Sequence, residues 1–457
     1  MESYSIKKQK ILLEDYDYKQ DLENRLLMSQ FSTRDLLVLE EILYSSLTAP
    51  LKKIEKNLDM TRDELLPILI RLSRSGLFSL HEDTIIVDKE KRKYFEGQLP
   101  KFEPDFRPGM EFLQGLLKKV AIHVLPGWYS LPRLSDDIFE SIVEKYLLTP
   151  QIFQRYLTDL TFSDPLLSSI VKELYAAPSL KIYGKDLLKK HNLSKEALEK
   201  ALLLLEFHLV GFLSYEKVGD HYEEIVTPFY EWQEYAEFLK ETDVQTVTTK
   251  VKQKRPCDFS YIEDLTALLN RMKKEPLFQK EVRNFPLEAF DGSAEYMDAL
   301  IEKLCHLKLS AIVDKRLIAL ESATDFLDMS TEEKALFLYR HPFNRSAFKK
   351  IPVELATDRN VREAEKSIIR VLDKGWVYFD EFLRGCIVPL SETSTIFLKK
   401  QGKTWRYSLP CYTEEEKALI AAIVLDWLFE IGITSVGMAG DRICFRVTSF
   451  GRSLFGQ

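Results

Sequence analysis

The chain has 457 residues, too many for one ordinary core, and its 45% hydrophobic and 30% charged residues are globular values that exclude a disordered chain. A formal charge of -7 excludes a surface that coats nucleic acid as a whole and leaves only a local basic face for such a role. No apolar leader and no run of about 18 apolar residues interrupts the charge-punctuated sequence, so a soluble, cytoplasmic protein without a membrane partner is expected.

Residues 1–31 read as an N-terminal helical extension. A first unit is expected over 32–96. "STRDLLVLEEILYSS" opens with Ser32 and Asp35 in capping-box spacing and repeats its leucines at helical intervals. "APLKKIEKNLDM" reads as a short second helix. "TRDELLPILIRLSRSG" restarts on the Thr61/Glu64 capping box, contains a potential kink at Pro67, and ends at Gly76. Two short apolar segments, "LFSL" and "TIIVDKEKRKYF", then flank a polar turn. After a helical connecting region over 97–163, the order returns over 164–241. Asp164 and Pro165 form an N-cap and first-turn pair, "GKDLLKKHNL" is the short helix, "SKEALEKALLLLEFHLVG" the third, and "FLSYEKVGDHYEEIVTPF" the hairpin.

Residues 242–257, "TDVQTVTTKVKQKRPC", are polar and aperiodic and are expected to be a linker open to protease. A degenerate third unit follows over 258–328. A fourth is expected over 329–392, with Ser330 and Glu333 as capping box, "RSAFKKIPVELA" as second helix, "DRNVREAEKSIIRVLDKG" as third, and "WVYFDEF" with "GCIVPL" as hairpin. The fifth, over 393–457, is partial: strand-like "TIFLKKQGKTWRYSL", one long helix from Thr413, and a terminal hairpin followed by a Gly-Arg turn. "YSLPRLSDD" at Tyr129 and "YSLPCYTEE" at Tyr407 echo one another, either as a mark of two related halves or as common strand-exit and capping grammar.

Three helices and a hairpin, repeated, resemble winged helix-turn-helix units. The expected fold is therefore α+β, predominantly helical, with tandem units in two lobes. The closing "CFRVTSFGRSLFG", with "GDR" before it and "LDWLFEIGI" upstream, is similar to the helicase-associated winged-helix segments that flank XPB/Ssl2-like and SNF2-type helicases of bacteria. That resemblance implies partnership with a DNA-dependent ATPase.

No catalytic site is expected. Gly402, Lys403 and Thr404 mimic the end of a phosphate loop, but Phe397 stands where its first glycine belongs, and the acidic pair Asp380/Glu381 precedes that sequence instead of following it. The five cysteines, Cys257, Cys305, Cys386, Cys411 and Cys444, lack C-x-x-C spacing, and adjacent Cys305 and His306 diverge on a helix, so no metal and no cofactor are expected. "GWYSLP" at Gly127, with Trp128 and Tyr129, reads as core more readily than as a base-stacking platform.

The basic residues carry the functional expectation. Residues 340–384 hold ten Lys/Arg against seven Asp/Glu. Arg359, Arg362, Lys366 and Arg370 fall on one helical stripe, with Arg345, Lys349 and Lys350 on the preceding helix and Arg384 in the wing. Two readings fit: a DNA face, or a solvated helix with Glu363 and Glu365 interspersed. The leading expectation is thus a non-enzymatic accessory protein in DNA-linked work, touching duplex DNA and a helicase, polymerase or chromosome-organising complex. The alternative is a protein–protein scaffold that never binds nucleic acid, similar to the tandem winged-helix subunits of chromosome-condensing complexes. No small-molecule substrate is evident.

Overall fold

The computed structural model describes residues 18–118, 129–131, 137–278, 282, 285–287, 294–341, 351–402 and 404–456. The protein is α+β and predominantly helical, with small antiparallel sheets. It divides into two compact units, one comprising 1–236 and 397–407, the other 237–396 and 408–457. Among the described residues no helix is long and apolar enough to cross a membrane.

One order of elements recurs in both units: a helix, a two- or three-residue strand, further helix, and a hairpin whose second strand lies between the first and the short strand. In the first unit it appears as helix Thr33–Tyr44, strand Thr48–Pro50, helices Leu51–Leu58 and Arg62–Ser73, and strands Phe78–His81 and Thr84–Val87, with Thr48 opposite Ile86. It returns as helix Pro165–Ala176, strand Ile182–Tyr183, helices Gly184–His191 and Lys195–Phe207, and strands Phe212–Val218 and His221–Thr227. The helix starts follow from local chemistry. Ser32 with Asp35 and Thr61 with Glu64 close reciprocal capping boxes, and Asp164 caps the helix that Pro165 begins. Gly76, at φ 67, supplies the left-handed residue that turns the chain into the hairpin. Asp88 caps a helix, Lys89–Gln98, where the sequence was expected to continue as strand. Met28, Leu39, Leu69, Ile85, Leu198 and Val226 belong to a single buried cluster, so the two repeats of this unit share one core.

In the second unit, helix Ser260–Lys274, strand Leu277–Phe278, helix Ala294–His306 and strands Ser310–Val313 and Arg316–Ala319 form the third occurrence. The fourth corrects the expected segmentation. Helix Asp358–Lys366, continued as a 3-10 turn over Ser367–Val371, stands in the first-helix position, before the short strand Val377–Tyr378. "WVYFDEF" is that strand followed by helix Phe379–Arg384, and 385–390 contains no strand. Its apolar residues change period from two to three: Phe379 and Phe382 both pack against Phe445, with ring centroids 6.2 and 4.9 Å away. The helix before the terminal hairpin runs Glu414–Ala421 from the Thr413/Glu416 capping box, passes through a π-helical stretch at Ala422–Trp427, and ends at Glu430. Strands Thr434–Ala439 and Arg442–Val447 complete the sheet. The expected terminal turn is instead helix Ser449–Phe455, capped by Thr448. Between helix Phe379–Arg384 and helix Glu414–Ala421 the chain contributes the hairpin Leu398–Gln401/Thr404–Tyr407 to the first unit.

The expected linker is also corrected. Val247 N–H donates to Trp376 O at 2.7 Å, Lys252–Gln253 pairs with Gly437 and Met438, and Lys254 N–H donates to Val436 O at 2.8 Å. The segment thereby occupies both edges of the fourth sheet. Arg255 lies over the Phe429 ring at 4.2 Å. Main-chain donors and acceptors exist in any sequence, which is why a polar, aperiodic stretch serves here as a strand.

Candidate interaction surfaces

The basic stripe predicted for helix Asp358–Lys366 does not form a free cationic face. Arg362 pairs with Glu365 at 2.8 Å and lies over the Tyr339 ring at 5.2 Å; Lys366 pairs with Glu363 at 2.8 Å. The Glu365 carboxylate also accepts from Trp427 Nε1 at 3.1 Å, which fixes it beneath Arg362. Arg370 turns inward and donates to Leu239 O at 3.2 Å. Arg359 is exposed at the first turn. Arg384 is exposed at the end of helix Phe379–Arg384, not in a wing. Arg345, Lys349 and Lys350 lie outside the described residues, as do Lys403 and Trp128. Glu363 and Glu365, three residues from Lys366 and Arg362, convert two of the four stripe residues into local ion pairs.

Other sequence features find structural partners as well. Asp380 and Glu381, which imitate an acidic metal box, bracket Arg442 at 2.8 and 2.9 Å, and that guanidinium lies 3.6 Å from the Tyr378 ring centroid. Gly402, at φ 64, sits in the hairpin turn. The two Tyr-Ser-Leu-Pro phrases each bury a tyrosine whose hydroxyl reaches a helix-end carbonyl: Tyr129 to Phe207 O at 2.6 Å, and Tyr407 to Leu147 O at 2.8 Å. Cys305 and His306 close helix Ala294–His306, with Cys305 Sγ 3.5 Å from Ser310 Oγ. Among the described residues no group of three His, Cys, Asp or Glu side chains is placed to hold a metal ion.

The helices that directly precede the four hairpins have a different character from a phosphate-binding face. Their exposed charged positions are Arg62, Asp63 and Glu64 on the first, Glu196 and Lys200 on the second, Glu295 and Asp298 on the third, and Glu414 and Glu415 on the fourth. Arg62 is paired with Asp83 at 2.6 Å, and Arg71 with the buried Asp35. In the second repeat this helix is buried along most of its length, from Leu198 to Phe207. The hairpins, in contrast, expose apolar side chains: Leu80 and Ile86, Val218, Ile312 and Val313, and Met438 and Ile443. None of these side chains is among the residues expected from the sequence to form a site. Their signal is the continuous apolar run, as in "TIIV" and "AIV", because alternate strand residues face opposite sides and an unbroken run must put some outward.

No protein-family model matches the chain, and no curated protein matches it.

Proposed function

We propose that the protein is a non-enzymatic scaffold of tandem winged-helix units that binds protein partners through its hairpins and the helices before them, and does not act by gripping nucleic acid. The recurrent helix, short strand, helix and hairpin, with the short strand beside the second hairpin strand, supports the winged-helix reading. The observation that carries the function is the lack of an exposed basic face on the helix that, in a DNA-reading winged helix, enters the major groove and supplies donors to phosphates and base edges: carboxylates match or outnumber the exposed Lys and Arg on each of these helices. Carboxylates there repel the phosphate backbone, and two of the four cations of the basic stripe, Arg362 and Lys366, are paired with its own glutamates. Exposed apolar side chains on the hairpins suit a protein surface. The scaffold reading therefore takes precedence over the DNA-linked accessory reading, and a subunit of a helicase, polymerase or chromosome-organising complex is the kind of partner that fits both.

Fluorescence anisotropy with labelled duplex DNA across a salt series tests it. The expected result is no saturable binding at low salt, with the Arg359→Glu, Arg362→Glu, Lys366→Glu variant indistinguishable from wild type. Roughly micromolar binding that falls with salt and disappears in the triple variant would restore the DNA-linked reading.

A further inference from the structure

The hairpin of Thr434–Ala439 and Arg442–Val447 borders a groove of about 510 Å³, bounded on its other sides by the added strand Lys252–Gln253 and by the helix at Ala421, Leu425 and Asp426. This volume is within the range of binding sites, roughly 300–1,000 Å³. Strand register decides which side chains share the groove. Lys252 stands opposite Met438, and Met438 opposite Ile443; directly opposed residues of antiparallel strands point to one face, so the three side chains form a row. Lys254, whose N–H donates to Val436 O at 2.8 Å, lies with Val436 two residues farther along, and the period of two puts both on that same face. Met438 is 39% exposed and Ile443 45%, Lys252 and Lys254 are exposed, and Val436, at 6%, forms the floor. Leu425 and Asp426 line the groove from the π-helical stretch Ala422–Trp427, an irregularity frequent at functional sites. Gly437 admits the added strand: a Cβ there would stand 2.6 Å from Val251 Cγ1 and 2.8 Å from Lys252 O.

The cations come from a segment of one-sided charge. Residues 244–257 hold Lys250, Lys252, Lys254 and Arg255 and neither Asp nor Glu. Among the described residues that line the groove, Asp426 is the one carboxylate, and the Lys254 charge acts on it. Lys252 has no ion-pair partner among the described residues. The groove therefore asks its occupant for aliphatic side chains, to cover Leu425, Met438 and Ile443, and for a carboxylate beside them. A DNA backbone offers anions with nothing for the apolar wall, and a neutral apolar segment leaves Lys252 unanswered.

We propose that this groove receives an acidic, apolar segment of a partner protein, in which Asp or Glu flanks large aliphatic side chains. The aliphatic groups lie against Leu425, Val436, Met438 and Ile443, and a carboxylate meets Lys252. The inference rests on the scaffold reading and adds to it the site on the fourth sheet and the chemistry of the segment bound there.

Selection of a short-peptide display library on the immobilised full chain supplies the probe, and fluorescence anisotropy of the enriched peptide measures it. Enriched peptides are expected to combine Asp or Glu with Leu, Ile or Met, and to bind with a Kd of roughly micromolar, weakening as salt is raised. Met438→Thr with Ile443→Thr keeps strand-favouring residues while removing the apolar contact, and should weaken binding by about tenfold or more. Lys252→Glu with Lys254→Glu leaves the backbone pairing in place and should weaken binding by about tenfold. Exchanging the peptide's carboxylates for amides should weaken binding to wild type but not to this lysine variant, a coupling that a merely structural effect would not produce. Leu80→Ser with Ile86→Ser, on another hairpin, should leave binding unchanged, and circular dichroism should show all variants folded. Enriched peptides without carboxylates, or full affinity in either groove variant, would overturn the site. If binding is instead lost in Leu80→Ser with Ile86→Ser, the scaffold reading stands and this groove alone falls; no enriched peptide together with duplex DNA binding would remove both. Duplex DNA binding abolished by the lysine variant, or a dimer of the chain abolished by Met438→Thr with Ile443→Thr, would assign the groove to nucleic acid or to a second copy and equally overturn the proposal.

Discussion

Glu206→Gln is expected to destabilise the first unit severely, by an amount that follows from its surroundings. Glu206 is 0% exposed and accepts from the Arg25 guanidinium, from Lys101 Nζ at 3.4 Å and from the N–H of Leu213 at 3.0 Å. Arg25 and Lys101 are each 1% exposed, and Asp21, 3.6 Å from Arg25, is the other carboxylate paired with that guanidinium. The glutamine keeps the shape and the Leu213 bond but removes the charge that balances two buried cations. Breaking a buried pair in this way costs about 3–5 kcal/mol. For a unit of this size that corresponds to a lowering of Tm by roughly 6–20 °C.

Burial alone would raise the Glu206 carboxyl, but Arg25 and Lys101 outweigh it and hold the group below the usual carboxylate range. The sign follows from linkage: the stabilisation is complete above the unfolded value and is lost as pH falls through the lower folded value. Calorimetry should therefore show a wide gap between wild type and variant at pH 7 that narrows in acid. The combination Asp21→Asn, Arg25→Met, Lys101→Met, Glu206→Gln removes the buried charges together and should recover most of the loss. A single variant within about 1 kcal/mol of wild type, or a quadruple variant as unstable as the single, would refute the reasoning.

Three further outcomes are expected. A chromogenic disulfide reagent should label exposed Cys257 and Cys411 promptly, whereas buried Cys444 and Cys386, whose thiol burial pushes up to about 12, should react only after denaturation; prompt labelling of either buried thiol contradicts this. Trypsin should spare Lys252 and Lys254 in the native protein, because the backbone there is paired with the fourth sheet, and an early cut at these sites would show that the pairing is absent. Gly432→Ala should cost about 1–3 kcal/mol, since φ is 80 and the added Cβ would stand 2.6 Å from Phe259 Cδ1; a urea midpoint equal to that of wild type would refute it.

Much of the local structure was legible in the sequence. Helix starts at Ser32, Thr61, Asp164, Ser330 and Thr413 depend on residues within one turn, and the hairpins at 212–227 and 434–447 on alternation within a few residues, so neighbours in the chain suffice to specify them. What the tertiary structure decided lies beyond that range. Lys252 became a strand residue because Met438 presents a sheet edge, and Val377 a first strand because Phe445 pairs with it. Half of the charge stripe was paired with glutamates whose positions were visible but whose orientation was not: Glu365 is held under Arg362 by Trp427, far along the chain. The groove beside Met438 carries no motif at all. Only the register that sets Lys252 opposite Met438, and the helix that brings Leu425 to the same groove, distinguish it, and both are set by packing between distant segments, which no local pattern encodes.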